Sequence, residues 1–147
     1  MGASPQARYI GHWVKVINHD ATVRMNRLLK PFGLTRSSWT VLYLVNAAGR
    51  ISQKTLQEDL GIESGSMAIV VEGLVRKGWL DRTSSEDDRR ANHLELTPKG
   101  AARWNTIPDM ATILRKEMMR GVTEEEERAA VATLKKCSAN LAKTIND

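Results

Sequence analysis

Cysteine is almost absent: Cys137 is the one thiol in 147 residues. No internal disulfide can form, and a reducing cytoplasm is the simplest home for such a chain. Long apolar runs are missing as well. No stretch approaches the ~20 residues that cross a bilayer, so no membrane partner is expected. The opening Met1-Gly2-Ala3-Ser4-Pro5 lacks a basic region followed by an apolar core, so no secretory signal is expected. Also missing are a serine–histidine–aspartate frame, a Gly-x-Ser-x-Gly turn and a glycine-rich phosphate loop, which argues against an enzyme. His12 and His19 have no cysteine or carboxylate at metal-ligand spacing, so they read as surface or interface residues; neither metal nor cofactor is expected.

What is present is a globular composition with a basic bias. Hydrophobic residues make up 41% and charged residues 27%, and the net charge is +5. That length fits one domain, residues 1–147, and that charge favours a polyanionic partner without identifying one.

The stretch from Ile51 to Thr97 organises the chain. Ser52 is placed to cap a helix whose Leu56 and Leu60 share a face. Gly61 ends that helix, Ile62 plugs the turn, and Ser64 offers a second N-cap. Met67, Val71, Leu74 and Gly78 follow at helical spacing. Two short helices around a glycine turn are a helix-turn-helix pattern. Trp79–Thr83 and His93–Leu96 then read as strands around the polar run Ser84-Ser85-Glu86-Asp87-Asp88, with Leu94 and Leu96 on one face. The hairpin's descending side carries Arg89 and Arg90. Two guanidinium groups on a narrow projection suit a minor groove, where crowded phosphates deepen the negative potential. A charged surface hairpin is the plain alternative, but its position after a helix-turn-helix favours DNA.

The flanks read as helices. From Pro5 to Leu29, Ile10, Trp13, Ile17, Ala21, Met25 and Leu28 form one stripe. Lys30-Pro31-Phe32-Gly33 breaks it. Thr35 caps the next helix, which is apolar nearly all round and is therefore expected to be buried, with Trp39 in its core. Thr97 and Pro98 restart helix after the hairpin, and a break is expected at Ile107-Pro108. Met110, Leu114 and Met118 carry a further stripe before Gly121. Thr123-x-x-Glu126 is a capping box, and Val131, Leu134, Ser138, Leu141 and Ile145 form the last stripe. Stripes this long at both ends predict a symmetric interface between two copies, through Ile10, Trp13, Ile17, Leu134, Leu141 and Ile145. Cys137 lies at the margin of the last stripe near a helix C-terminus, where a thiolate is disfavoured, so a structural role is expected.

The motifs Leu34-Thr35-x-x-x-Trp39, Leu60-Gly61-Ile62-Glu63, Val75-x-Lys77-Gly78, Asp88-Arg89-Arg90-Ala91 and Leu96-Thr97-x-x-Gly100 together resemble the MarR family of transcriptional regulators, and more narrowly its SlyA-like members, over about Tyr9 to Leu141. The resemblance implies a mainly α fold with a small β-hairpin wing: a winged helix-turn-helix lobe at 34–100, with dimerisation helices at 5–30 and 101–147. It implies an obligate homodimer on pseudo-palindromic double-stranded operators, often relieved by small phenolic or lipophilic ligands and in some members by cysteine oxidation. Arg90 resembles the family's minor-groove arginine and Asp88 the aspartate that braces it. The recognition helix departs from the family pattern at Ala68, Ile69 and Gly73, where polar or charged residues are more usual.

The expected DNA contacts are Ser38, Gln53, Lys54, Ser64, Gly65, Ser66, Ala68, Ile69, Arg76, Arg82, Asp88, Arg89 and Arg90. Ala68 and Ile69 suit thymine methyls and Ser66 a hydrogen bond, so the wing and phosphate contacts are expected to carry much of the affinity. A small aromatic or phenolic ligand is expected between the dimer helices and the DNA lobe, against Trp13, Val16, Trp39 and Tyr43. The reading is a ligand-responsive repressor. The alternatives are a winged-helix protein-interaction module with weak DNA binding, for which the donor-poor recognition face argues, a cysteine-based redox-sensing regulator, and an enzyme or carrier built on the dimer-lobe pocket.

Overall fold

The computed structural model describes residues 9–84 and 92–145. Within them the chain forms two compact units, one ending at Met110 and one beginning at Ala111.

The first unit opens with α1 (Ile10–Leu29), a 3-10 turn at Lys30–Phe32 and α2 (Arg36–Ala48). Thr35 starts α2 through a reciprocal cap: its side chain accepts from the Ser38 amide, while its own amide donates to Ser38 Oγ at 2.8 Å. Arg36 then ties α2 back to α1. Its guanidinium donates to Asn18 Oδ1 at 3.0 Å and to the Thr22 hydroxyl, and its amide donates to Asn26 Oδ1 at 2.7 Å. One arginine thus satisfies a polar row that recurs every four residues along α1.

Next come β1 (Ile51–Ser52), α3 (Gln53–Leu60), α4 (Ser64–Arg76), β2 (Leu80–Ser84), β3 (Asn92–Leu96) and α5 (Pro98–Trp104). The sheet has the order β1-β3-β2 and is antiparallel throughout, with Ile51 opposite Leu94 and Leu80 opposite Leu96. Helix α2, the α3–α4 pair and this small sheet enclose one core. Val41, Leu42, Val45, Leu56, Met67, Val71, Leu74, Trp79, Leu80 and Leu94 are all at most 2% exposed. Burying a side chain of this size contributes about 1.5–3 kcal/mol, so the core, more than helix propensity, holds these short elements in place.

Three local expectations need correction. Helix α2 is not buried all round: Val41, Leu42 and Val45 face the core, while Tyr43 is 49% exposed and Asn46 and Ala48 are exposed. The flanking α1 covers one side of it only. Ser64 is not the cap of α4 but its first helical residue; Glu63, with extended backbone, stands at the cap and no side chain bonds the free amides. The first strand of the hairpin begins at Leu80 rather than Trp79, whose backbone serves α5 instead.

Helix α6 (Met110–Met118) begins on the last residue of the first unit, and the second unit continues with a turn through Gly121 and α7 (Glu124–Ile145). The break before α6 falls across 105–109, where the sequence carries Pro108. Thr123 and Glu126 form the expected box. The Thr123 amide and hydroxyl both donate to Glu126 Oε2, at 2.8 and 2.9 Å, and the Glu126 amide donates to Thr123 Oγ1 at 3.2 Å. The backbone bond first, then the hydroxyl, holds the Glu126 carboxyl below its ordinary value of 4.5. Arg115 also reaches Glu127, its Nη2 donating to both carboxylate oxygens at 2.8 and 2.7 Å. Along α7, Val131, Leu134, Leu141 and Ile145 are 42–80% exposed, an apolar stripe interrupted by Ser138 and left uncovered by the described residues.

Candidate nucleic-acid interface

The site is built on α3, the turn after it and α4. Ser52 Oγ accepts from the Thr55 amide at 3.0 Å and starts α3. Gly61, at φ 58°, takes the left-handed backbone that ends it, and its amide returns to the Gln57 carbonyl. Ile62, half-buried, fills the turn. Helix α4 then buries Met67, Val71 and Leu74 and turns Ser64, Gly65, Ser66, Ile69, Glu72 and Arg76 outward. Ala68 is half-buried at the edge of that face, and Ile69 is 75% exposed at its middle. The uncapped amides of the first turn form an electropositive end suited to an anion.

Other expected contacts are differently placed. Lys54 is exposed on α3 and lies 3.9 Å from Glu58, a solvated pair that leaves the ammonium accessible. Gln53 is half-buried, and its carboxamide oxygen is buried without a hydrogen-bond partner among the described residues. Ser38 spends its hydroxyl on the α2 cap, accepting from the Thr35 amide and lying 3.0 Å from the Thr35 carbonyl. Arg82 is exposed on β2, opposite Leu94. Asp88, Arg89 and Arg90 lie outside the described residues.

The root of the hairpin is held by the Leu96-Thr97-x-x-Gly100 motif. The Thr97 amide donates to the Trp79 carbonyl at 3.1 Å, and Thr97 Oγ1 donates to the Gly78 carbonyl at 2.8 Å while accepting from the Gly100 amide at 2.8 Å. The Arg103 guanidinium lies 4.0 Å above the Trp79 ring, a cation–π contact at the same joint. The strands therefore leave the lobe from a backbone junction clamped to α5.

Of the expected ligand residues, the structure joins Trp39 and Tyr43, whose rings stack at 5.3 Å, and adds Trp104 of α5, 6.2 Å from Trp39. Sequence reasoning missed Trp104 because its partner lies in a distant segment. Trp13 sits on α1, 51% exposed, with its ring edge-on to His12 at 5.4 Å. Val16 lines an open recess with Tyr9, His12 and His19. Among the expected dimer residues, Ile10 is 46% and Ile17 50% exposed. Cys137 is half-buried on α7. Among the described residues no cluster of histidine, cysteine and carboxylate groups is arranged to hold a metal, and no helix is long and apolar enough to cross a membrane.

A three-helix lobe with an antiparallel hairpin following its third helix is a winged helix-turn-helix protein. The sequence model of the MarR family matches residues 32–91. The chain is 27% identical to the multiple antibiotic resistance protein MarR of Salmonella typhimurium over 128 residues, 86% of this chain and 89% of that one. It superposes with a TM-score of 0.80 on a cysteine-to-serine mutant of E. coli MarR complexed with operator DNA, at 25% identity and covering 92% of this chain and 99% of the other. The S. aureus MepR–DNA complex shares the fold, with a TM-score of 0.81 at 18% identity over 90% of this chain and 98% of that one. The winged lobe thus matches the MarR family's sequence model, and the chain resembles MarR-type transcriptional regulators over most of its length.

Proposed function

We propose that the protein is a homodimeric repressor that binds a pseudo-palindromic operator sequence-specifically and releases it on binding a small aromatic ligand. The observation that carries this reading is the outward face of α4, which turns Ile69 and the uncapped amides of its first turn to solvent while its opposite face fills the core. An α-helix presented in this way fits a major groove, and the net charge of +5 favours the approach to phosphate. The lobe at 34–100 reads DNA, and the exposed stripes of α1 and of α7 each bury against a second copy. Dimer symmetry then sets two recognition helices about one DNA turn, ~34 Å, apart. A regulator of this kind works on the chromosome, which places it in the cytoplasm.

The ligand's place in this reading is the aromatic group of Trp39, Tyr43 and Trp104, whose faces suit a flat phenolic molecule. The test is genome-wide binding with and without salicylate. The expected result is occupancy at a few sites sharing one inverted repeat, lowered by the phenol. Occupancy without any shared sequence would overturn the regulator reading in favour of a protein-interaction module, and occupancy indifferent to every phenol tried would overturn the ligand part.

A further inference from the structure

Helix α4 contains two glycines that nothing among the described residues requires. Gly61 sits in a positive-φ turn, and Gly100 faces a backbone that would collide with a side chain. Gly65 and Gly73 differ from both. Neither has a positive φ, and a Cβ built on either would meet no atom within 4 Å. Alanine would fit both sites and would favour the helix. The two positions lie four residues before and four residues after Ile69, along one side of the helix. The result is a helix surface lowered to backbone level one turn before and one turn after a branched apolar side chain that is 75% exposed, with Ser66 and Glu72 on its other flank.

Two clean interpretations exist for a bare helix surface with one apolar projection. It can accept another protein surface, or it can lie deep in a groove. The electropositive start of α4 on this face and the chain's net charge of +5 favour the polyanion. Major-groove edges present one apolar group to such a projection, the C5-methyl of thymine. We propose that Ile69 is the specificity-determining residue of the interface and that it reads a pyrimidine 5-methyl group, with Gly65 and Gly73 letting the helix backbone approach the bases closely enough for that contact. This inference rests on the DNA-binding reading above and adds what each half-site must contain: a 5-methylpyrimidine facing the middle of α4. The only hydrogen-bonding side chains on the exposed face are those of Ser64, Ser66, Glu72 and Arg76, none of which replaces a methyl contact.

The experiment uses the full-length protein and a duplex selected from a random library by repeated binding. Each thymine is replaced in turn by deoxyuridine, which removes the methyl and leaves every hydrogen-bonding edge intact. One thymine per half-site should be sensitive. Its loss should weaken binding about fourfold, and loss in both half-sites about fifteenfold, the scale of one and two buried methyl groups. Placing 5-methylcytosine at that position should bind more tightly than cytosine by the same factor. Ile69→Ala should bind the thymine and deoxyuridine duplexes equally. Gly73→Ala should raise the melting temperature of the protein and yet weaken operator binding at least tenfold, two signs that a purely structural glycine would not give together. Uniform indifference to deoxyuridine, with the selected duplex still bound, would overturn the methyl readout while leaving the regulator standing. A tighter fold with unchanged binding in Gly73→Ala would overturn the close approach. Failure of the selection to enrich any duplex would instead overturn the DNA-binding reading itself.

Discussion

A Cβ on Gly100 would stand 2.1 Å from the carbonyl oxygen of Trp79. That oxygen is already committed, accepting from the Thr97 amide at 3.1 Å. Backbone therefore packs on backbone where α5 meets the root of β2, and only glycine permits it. The obstruction is main chain, which cannot rotate away as a flexible side chain can.

Gly100→Ala should therefore destabilise the first unit by about 1–3 kcal/mol or more, the range for forced overpacking. Urea unfolding followed by tryptophan fluorescence reads it directly. Gly49 provides no such close contact, since a Cβ there meets nothing within 4 Å; its φ of 72° would still strain an alanine, so it is a milder control. Equal midpoints for Gly100→Ala and the unmodified protein would show that the joint yields.

The start of α7 carries a pH dependence of known sign. Glu126 accepts the amide and hydroxyl of Thr123, and its carboxyl lies below the ordinary value of 4.5. The folded value is thus depressed, so the unfolded chain takes up the proton first as pH falls. The contribution of Glu126 is present above the ordinary value and is lost as pH falls through it toward the folded value. Thermal melts of the unmodified protein and of Glu126→Gln, taken from about pH 6 to about pH 3, should differ most at the upper end and converge at the lower. A difference that grows on acidification would show that the charged box does not stabilise the helix.

The exposed stripes predict an obligate dimer. Trp13 and Ile17 on α1 are 51% and 50% exposed, and Leu141 and Ile145 on α7 are 64% and 80% exposed. Light scattering at micromolar concentration should return twice the 16.4 kDa chain mass. Leu141→Glu, which places an unpaired carboxylate in the expected interface, should weaken the dimer by at least ~2 kcal/mol, about thirtyfold. A monodisperse species at the single-chain mass would contradict the assembly.

The wing prediction comes from the sequence, because Asp88, Arg89 and Arg90 lie outside the described residues. A guanidinium in a narrow groove gains from the focused potential there. Arg90→Ala should cost ~1–3 kcal/mol in operator binding, the scale of one groove contact. If Asp88 braces Arg90 as the family resemblance implies, Asp88→Ala should also weaken binding, although it makes the chain more positive. A simple electrostatic patch gives the opposite sign, most visibly at low salt. Tighter operator binding by Asp88→Ala at every salt concentration would remove the bracing role.

The parts of this fold that the sequence reveals are those decided within four residues. The Thr35–Ser38 cap, the Ser52 cap, the Gly61 stop, the Thr97-Pro98 start and the Thr123–Glu126 box each rest on side chains and amides that are neighbours in the chain. The Glu63–Ser64 boundary failed by one residue because a cap position is defined by its backbone, and Glu63 adopts the extended conformation without using its side chain. Contacts between distant segments left no local signature. Arg36 reaches back 18 residues to Asn18, Trp104 lies tilted against Trp39, and Arg103 covers Trp79. The half-exposed Tyr43 shows the same limit: an apolar helix in sequence becomes a one-sided core helix once its neighbours are placed. The helix-turn-helix spacing and the family resemblance pointed to a candidate interface, while the chemistry of its face around Ile69 needed both the burial pattern and the glycine environments.

The most direct test of the central claim is the affinity of the dimer for its selected operator compared with a scrambled duplex of the same composition, titrated side by side at one fixed salt concentration. The account predicts a ratio of at least ~10³, the lower end for specific over non-specific binding, with protection of two major-groove segments about one helical turn apart. Equal affinities for the two duplexes, weakening together as salt rises, would contradict it.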